Sequence, residues 1–468
     1  MIPRNVGQMG LIFKIQMLNK LKSFNEKLSP GFRKIISNIG WLSAERIVMM
    51  TLSLFVGINV VRYLGPVNYG KLSYSISFAG LLGAIAKLGL DQIVVRNLVK
   101  EEKFTQEILG TAFWLKLVGS LFTAALIGIG IWTFNNDSQI RWMTLIIGAG
   151  LGFTAFETID FWFQSKVLSR PMALVRSGQL ILTSTIKLVL IFSKFPLMAF
   201  AWVYMAEFAF KAIGMVWVYH QRRQSIFRWQ VSRSKAIELL QDSWPLILSG
   251  VMILIYMKID QVMLGNMTGD RAVGNYAAAV KLSEPCYFIS TAICSSIFPA
   301  LIQAKLKNQQ EYQNKIQRLY DLMAWLSLMI AVPMTFVSDI VATTLLGQEY
   351  AEVGTILALH IWASPFVFLG IARSKWLMAE NYIRFNFVAT SLGAISNIIL
   401  NFWLIPNYEG IGAAIATVIS YAISSHGSCI FYPPIYSNSI LLYKALFVPF
   451  RIRQNLIYLN RVKQALLK

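Results

Sequence analysis

Apolar runs of about twenty or more residues recur along the whole 468-residue chain, and no other feature constrains its fold as strongly. A run of roughly 17–25 apolar residues crosses a bilayer as a helix. Backbone amides carried into hydrocarbon must be satisfied internally, so a crossing segment is a helix or a barrel strand. Runs of this length select the helix. Twelve spans are expected, near 39–61, 72–95, 107–132, 142–163, 172–193, 196–219, 244–264, 274–299, 321–346, 353–376, 385–405 and 410–432. The chain is 56% hydrophobic and 14% charged, against about 45–50% and about 25% for soluble domains. An all-α integral membrane protein is the fold class that results.

The net charge of +21 raises nucleic acid as a partner, but the position of the charges argues against it. With the N-terminal tail placed inside, the tails and inside loops hold 31 of the 43 Lys and Arg, and the outside loops hold five. This is the positive-inside asymmetry of a membrane protein. It places both basic termini in the cytoplasm and supports an even number of spans. No basic groove interleaved with stacking aromatics is present, so nucleic acid is not expected. Cys286, Cys294 and Cys429 lie in apolar spans and make no disulfide framework. His220, His360 and His426 show no metal-ligand spacing, so neither a metal nor a cofactor is expected.

The longest polar interruption, HQRRQSIFRWQVSRSKAIELLQ at 220–241, divides the spans into two sets of six. The expected organisation is an amphipathic cytoplasmic tail (1–38), a first six-helix bundle (39–219), a basic cytoplasmic linker (220–243), a second six-helix bundle (244–432), and an interfacial segment with a basic tail (433–468). Leu11, Ile15, Leu18, Leu21, Phe24 and Leu28 step by three or four, as do Ile452, Leu456, Leu459, Val462 and Leu466. Both tails read as helices on the membrane surface. ILLYKALFVPF at 440–450 is short for a crossing and reads as interfacial or re-entrant. Fragments repeat between the halves: NYGKLSYS at 68–75 follows span one, and NYAAAVKL at 275–282 follows span seven. Internal repeats with a site between them are a common transporter plan.

Charges inside the spans single out the candidate site. They are Glu45, Arg46, Lys87, Asp91, Lys116, Glu157, Asp160, Lys187, Glu207, Lys211, Lys258, Asp260, Lys281 and Glu284, all in spans one to eight. A charge at the bilayer centre costs about 2.5–3.5 kcal/mol on insertion scales, so these groups face protein or a water-filled cavity. Lys87 and Asp91 share a helix face, as do Glu207 and Lys211, and each pair is placed to bond within its helix. Lys258 and Asp260 point apart and need partners elsewhere. Lys281 returns to about the depth of Lys258, which predicts a cluster of Lys258, Asp260, Lys281 and Glu284 with Asp260–Lys281 as its direct pair. Pro285 breaks the helix beside that cluster.

Gly65 and Pro66 stop the first span, and Gly70 permits a turn into the second. With them, Leu64, Gly65, Pro66, Tyr69 and Gly70 in VRYLGPVNYGKLSYS resemble the L-G-P-x-x-Y-G signature of Wzx-type polysaccharide and O-antigen flippases. In the second half, Ser243-Trp244-Pro245 opens span seven. Asp260-Gln261, Met263, Leu264 and Gly265 resemble the family's D-Q-x-M-L-G, and Val273-Gly274, Tyr276, Ala278-Ala279 and Leu282-Ser283-Glu284 its V-G-x-Y-x-A-A-x-x-L-S-E. The likeness covers roughly residues 35 to 435.

The resemblance implies a member of the multidrug/oligosaccharidyl-lipid/polysaccharide (MOP) exporter superfamily. Such a protein has about 12 transmembrane helices in two six-helix bundles around a central cavity, a MATE-like fold, and works by alternating access in the bacterial plasma membrane. The implied substrate is a polyprenyl-diphosphate-linked oligosaccharide, moved from the cytoplasmic to the outer leaflet for cell-surface polysaccharide. Arg46, Lys87, Lys116, Lys187, Lys211, Lys258 and Lys281 are the candidate cavity cations for its diphosphate. Asp260, Glu284, Glu207, Asp160 and Glu157 are candidates to carry a coupling proton or sodium ion. Components of polysaccharide polymerisation and export are the protein partners it adds. The alternatives within the superfamily are a multidrug or toxic-compound exporter and a peptidoglycan-precursor flippase. An enzyme is not expected, because no outer loop carries a nucleophile–base constellation.

Overall fold

A segment that must satisfy its own amides in hydrocarbon has the helix as its local solution, and the computed structural model of the protein follows it throughout. It describes residues 30–430 and 432–456, with side chains from Glu45 onward except at Ile383. Among the described residues every regular element is helical. In chain order they are α1 (Pro30–Lys87), α2 (Leu90–Lys100), α3 (Thr105–Phe134), α4 (Ser138–Gly150), α5 (Thr158–Ser165), α6 (Ser169–Phe192), α7 (Leu197–Gln221) and α8 (Arg233–Met267). There follow α9 (Asp270–Ser283), α10 (Tyr287–Lys307), α11 (Gln309–Leu346), α12 (Ala351–His360), α13 (Ala363–Ala379), α14 (Ile383–Ala422), α15 (Ser428–Ile430) and α16 (Tyr436–Leu446). The expected amphipathic stripe over Leu11–Leu28 and the end of the C-terminal one, Leu459 to Leu466, lie outside the described residues.

Nine helical segments among the described residues are long and apolar enough to cross a membrane. A tenth appears when Gln348–His360 and Ala363–Ala379, bent by 44°, are taken as one broken span. Two of the nine are double length: Glu45–Lys100 has 56 residues and Arg384–Ile430 has 47. A straight helix of 56 residues is about 84 Å long at 1.5 Å per residue, against a hydrocarbon core of about 30 Å. Each is broken by a non-helical residue, Gly65 (φ 69°) before Pro66 in the first and Glu409 (φ 46°) in the second. Counting each as two crossings yields the twelve expected.

Several spans are less continuous than the hydropathy pattern predicts. The second stops at Lys87, turns through Leu88 and Gly89, both at positive φ, and resumes as α2. The fourth is divided into α4, a 3-10 stretch over Leu151–Glu157, and α5. The sequence GAGLG supplies the reason. A Cβ at Gly150 would lie 2.9 Å from Phe208 Cδ2 and 3.3 Å from Met205 Cα, so the glycine run lets α7 press against the chain where the helix tightens. The start of α4 is firmly capped by Asp137, which accepts from the amides of Gln139 (2.7 Å) and Ile140 (3.3 Å) and binds Lys71 Nζ at 2.6 Å. Burial opposes the Asp137 charge, but Lys71 and these amides outweigh it and hold its carboxyl below the usual range.

Met1–Ser53 and Leu54–Lys468 are separate compact units, and the packing below is within the second. There the helices segregate into two bundles. α7 packs on α4 and α6, and α3 on α4 and the 3-10 stretch; α14 packs on α8, and α11 on α12 and α13. Leu90, Val94, Leu98, Ile108, Phe161, Phe163 and Tyr219 make the core of the first bundle. Leu301, Tyr320, Met323, Phe368, Leu377 and Leu442 make that of the second. The segment 440–450 is docked on the second bundle: α16 is 11 residues long, Leu442 and Ala445 are buried, and Arg451 Nη1 binds Asp321 at 2.8 Å.

The bundles meet at both ends. At the basic end, the linker is helical from Arg233 and is pinned to the first bundle. Lys235 binds Glu101 (2.6 Å), Arg96 pairs with Asp242, and Asn97 donates to Glu238 (3.2 Å). At the opposite end α1 and α9 cross through glycines. A Cβ at Gly70 would lie 1.7 Å from the Asp270 carbonyl oxygen, and one at Gly274 would lie 1.9 Å from that of Pro66. Tyr74 donates to Asn266 (2.9 Å) and Ser77 to Gln261 (2.8 Å) beside this crossing. Small residues at such crossings let backbones touch. Gly274→Ala is therefore expected to cost about 1–3 kcal/mol through overpacking, read as a lower thermal midpoint in detergent; an unchanged midpoint contradicts the crossing.

Candidate functional site

Charges in a low-dielectric interior are stable only beside opposite charge or several dipoles, and the intramembrane groups of the first bundle obey this. Lys116, on α3 and 0% exposed, binds Glu157 Oε2 at 3.1 Å and reaches Asp91 Oδ1 at 3.9 Å. Its ammonium also lies 4.9 Å from the Phe161 ring centre. The second oxygen of Glu157 takes Lys211 Nζ at 2.8 Å. Glu157 is the last residue of the 3-10 stretch, so the break in the fourth span places it between α3 and α7. Lys187 binds Glu207 at 2.6 Å and lies 4.4 Å above the Tyr204 ring. Asp160, 8% exposed, pairs with Arg176.

These pairs correct an expectation. Glu207 with Lys211, and Lys87 with Asp91, were placed to bond within one helix. Each bonded member bonds across helices instead, and Lys87 is exposed with no ion pair among the described residues. An inter-helix partner excludes water on both sides, whereas an i,i+4 pair on one helix leaves both groups facing outward. Lys116 is sealed in a helix seam and is closed to any ligand in this conformation. Glu45 and Arg46 lie in the first compact unit, Glu45 partly buried and Arg46 exposed.

The predicted Asp260–Lys281 pair is not formed. Asp260, 4% exposed on α8, is held by neutral groups. Tyr276 donates to Oδ2 at 2.6 Å, Asn401 Nδ2 donates to Oδ1 at 2.6 Å, and the Thr417 hydroxyl lies 2.8 Å from Oδ2. Thr417 also reaches the Ala413 carbonyl at 2.9 Å, and Asn401 donates to Asn397 Oδ1 at 3.2 Å. The Asn401 carbonyl oxygen is buried with no donor. Seven oxygens of α8, α9 and α14 meet in this nest: both of Asp260, the Tyr276 and Thr417 hydroxyls, the Asn397 and Asn401 side-chain amide oxygens and the Ala413 carbonyl. Such an oxygen-rich cluster with one carboxylate suits a small hard cation, or a proton on Asp260. The charge inventory missed it because Asn397, Asn401 and Thr417 are uncharged; the signal was Asn397 and Asn401 four apart on one face of an apolar span.

Lys281 lies in the last turn of α9, before the helix tightens to a 3-10 turn at Glu284–Cys286 around Pro285. It is partly buried and has no ion pair among the described residues. Its ammonium is 5.8 Å from the Tyr69 ring centre and within electrostatic reach of Tyr204 and Lys187. Gly57 makes room for it: a Cβ there would lie 2.2 Å from Lys281 Cε. Of the predicted cluster, Glu284 stays within reach of both Lys258 and Asp260, while Lys281 turns toward the first bundle. Lys116→Met leaves Glu157 with one cation instead of two and is expected to destabilise the bundle by about 3–5 kcal/mol. Adding Glu157→Gln should recover part of that loss in thermal unfolding; a strictly additive loss contradicts the pairing.

Comparison with known proteins bears on the fold. The family model described as "Polysaccharide biosynthesis protein" matches residues 35–305, and the MatE model matches 245–403. The chain is 25% identical over 174 residues to the probable low-salt glycan biosynthesis flippase Agl15 of Haloferax volcanii, a match covering 36% of this chain and 36% of that protein. It is 18% identical over 407 residues to the capsular polysaccharide biosynthesis protein CapF of Staphylococcus aureus, covering 86% of this chain and 100% of the relative. Among solved structures, the inward-facing conformation of a multidrug resistance MATE family transporter of the MOP superfamily superposes with a TM-score of 0.67. That match has 12% identity and covers 84% of this chain and 96% of the other. With its sequence match over residues 35–305, the chain belongs to the polysaccharide biosynthesis protein family, and its two helical bundles have a fold like that of the MATE transporters.

Proposed function

We propose that this protein moves a polyprenyl-diphosphate-linked oligosaccharide from the cytoplasmic to the outer leaflet of the plasma membrane by alternating access, without catalysis. The observation that carries this reading is Lys281, a partly buried intramembrane cation with no carboxylate partner among the described residues, facing Tyr69, Tyr204 and Lys187. An unpaired ammonium flanked by phenols receives a phosphate at little desolvation cost beyond its own. Lys187 and Lys211 are each shared with one carboxylate and extend the same positive surface. A drug exporter selecting cations has no use for such a surface. The end closed by Gly70 and Gly274 is then the outer end, and the cytoplasmic end is the one bearing the basic loops.

Coupling is assigned to the nest around Asp260. A sodium ion or proton there neutralises the one carboxylate joining α8, α9 and α14, so its binding changes how tightly these helices are held together. Asn397, Asn401, Thr417 and the Ala413 carbonyl supply the other oxygens.

The test is flipping of a fluorescent polyprenyl-diphosphate glycan in vesicles containing the purified protein. Lys281→Met is expected to reduce flipping at least roughly tenfold, the scale of one lost charge-assisted bond, with an unchanged thermal midpoint. Asp260→Asn is expected to remove any response to an imposed sodium or proton gradient. Wild-type flipping by Lys281→Met overturns the phosphate site, and an undiminished gradient response in Asp260→Asn overturns the coupling site. In cells, loss of the protein should leave the lipid-linked glycan on the inner leaflet; drug sensitivity with normal glycan favours an exporter.

A further inference from the structure

The second bundle buries a cation that the transport site does not use. Arg373, on α13, is 4% exposed and has no ion pair among the described residues. Its Nη1 donates to the carbonyls of Ser424 and Ser425, both at 2.8 Å, and reaches Ser428 Oγ at 3.1 Å and Cys429 Sγ at 3.2 Å. Those carbonyls are presented by a π turn over Ile423–Gly427, a type of bulge that recurs at functional sites. The Nε of Arg373 is enclosed and has no acceptor. A guanidinium held only by dipoles, with a donor unused, lacks a counter-charge.

A cavity of about 570 Å³ lies on the other side of one side-chain wall. Ser428 and Phe385 form that wall: Ser428 touches Arg373 Nη1, and the Phe385 ring centre is 5.8 Å from Arg373 Cζ. Tyr432 stacks on Phe385 at 5.4 Å, Leu392 closes the apolar side, and Arg384 stands exposed at the rim. Arg384 has no ion pair among the described residues, and no carboxylate lines the cavity. The cavity therefore has an apolar floor and two guanidinium groups beside it, and nothing in it to balance them.

Its opening has a direction. Val388 and Leu392 are exposed at the mouth, and Ile395, Ile399 and Phe402 continue them along α14 as an exposed apolar stripe at helical spacing. That stripe faces lipid. The mouth sits at the basic end of the spans, next to the loop that carries Asn381 and Tyr382. Basic pockets between spans at this level suit anionic lipid headgroups.

We propose that the cavity binds an anionic phospholipid of the surrounding bilayer. Its phosphate rests between Arg384 and Ser428 in the field of Arg373, and one acyl chain follows Val388, Leu392 and Ile395. The occupant is a bilayer phospholipid rather than the transported lipid, because every lining residue lies between positions 381 and 432. None belongs to Lys281 or to the lysines of the first bundle. The proposal does not depend on the transport reading.

The test is native mass spectrometry of the full chain in detergent, titrated with phosphatidylglycerol or phosphatidylcholine of the same acyl chains. Wild type is expected to retain one phosphatidylglycerol at roughly tenfold lower concentration than phosphatidylcholine, the scale of one charge-assisted contact. Arg384→Gln should abolish that preference and Arg384→Lys keep part of it. Leu392→Trp, which fills the chain cleft, should weaken both lipids alike. Equal retention of the two lipids by wild type overturns the proposal, as does an unchanged preference in Arg384→Gln. Displacement of bound phosphatidylglycerol by an equimolar polyprenyl phosphate also overturns it, by giving the cavity to the transported lipid. All variants keep Arg373, and an unchanged thermal midpoint checks that the bundle stays folded in each.

Discussion

Intramembrane charge has to be neutralised by a neighbouring helix, and much of this structure is arranged around that requirement. In the first bundle Lys116, Glu157 and Lys211 tie α3, the fourth span and α7 together, and Lys187 with Glu207 ties α6 to α7. These bonds fix helix order as well as offsetting desolvation, because each lysine removed from its carboxylate leaves a lone charge in a dry seam. The second bundle solves the same problem with dipoles. Asp260 is held by a phenol, an amide and a hydroxyl, and Arg373 by two backbone carbonyls and a hydroxyl. The second bundle also keeps an ion pair, Asp321 with Arg451, at its end, but inside it Asp260 and Arg373 are held by neutral groups.

The two joints between the bundles differ in kind. The basic end is joined by side-chain charges and by a linker threaded against Gly110, where a Cβ would lie 2.3 Å from the Gln230 carbonyl oxygen. The opposite end is joined by backbone contact through Gly70 and Gly274 with a few flanking hydrogen bonds. A glycine crossing buries little apolar side-chain area, so its separation forfeits little hydrophobic stabilisation. The alternating access proposed above would need a joint with that property.

The sequence made the helical class and the run of apolar spans legible, because hydropathy is summed over many residues and tolerates local exceptions. Breaks were less legible. The turn at Leu88–Gly89, the 3-10 stretch at 151–157 and the π turn at 423–427 depend on how closely a neighbouring helix approaches. Intramembrane charges were identified as a set, but their partners were not: spacing of four along a helix is local, whereas Glu157 finds lysines 41 and 54 positions away. Asp260 stood out by its charge, while Asn397, Asn401 and Thr417 looked like ordinary polar residues. Arg373 was hidden by its place near a basic loop, where it counted toward orientation although it is buried among helices.

Glu157 shares its two oxygens between two lysines, and Asp91 stands 3.9 Å from the Lys116 ammonium, so two carboxylates face two lysines here. The two bonds of Glu157 differ in access. The Lys116 bond is enclosed, and the Lys211 bond is partly open. If the proposed phosphate headgroup borrowed Lys211, Glu157 would stay neutralised by Lys116, so no bare carboxylate would be created in the transfer. Under the proposed function the headgroup would be taken up and let go without leaving a bare carboxylate behind, a condition for a carrier that must release its cargo as readily as it captures it.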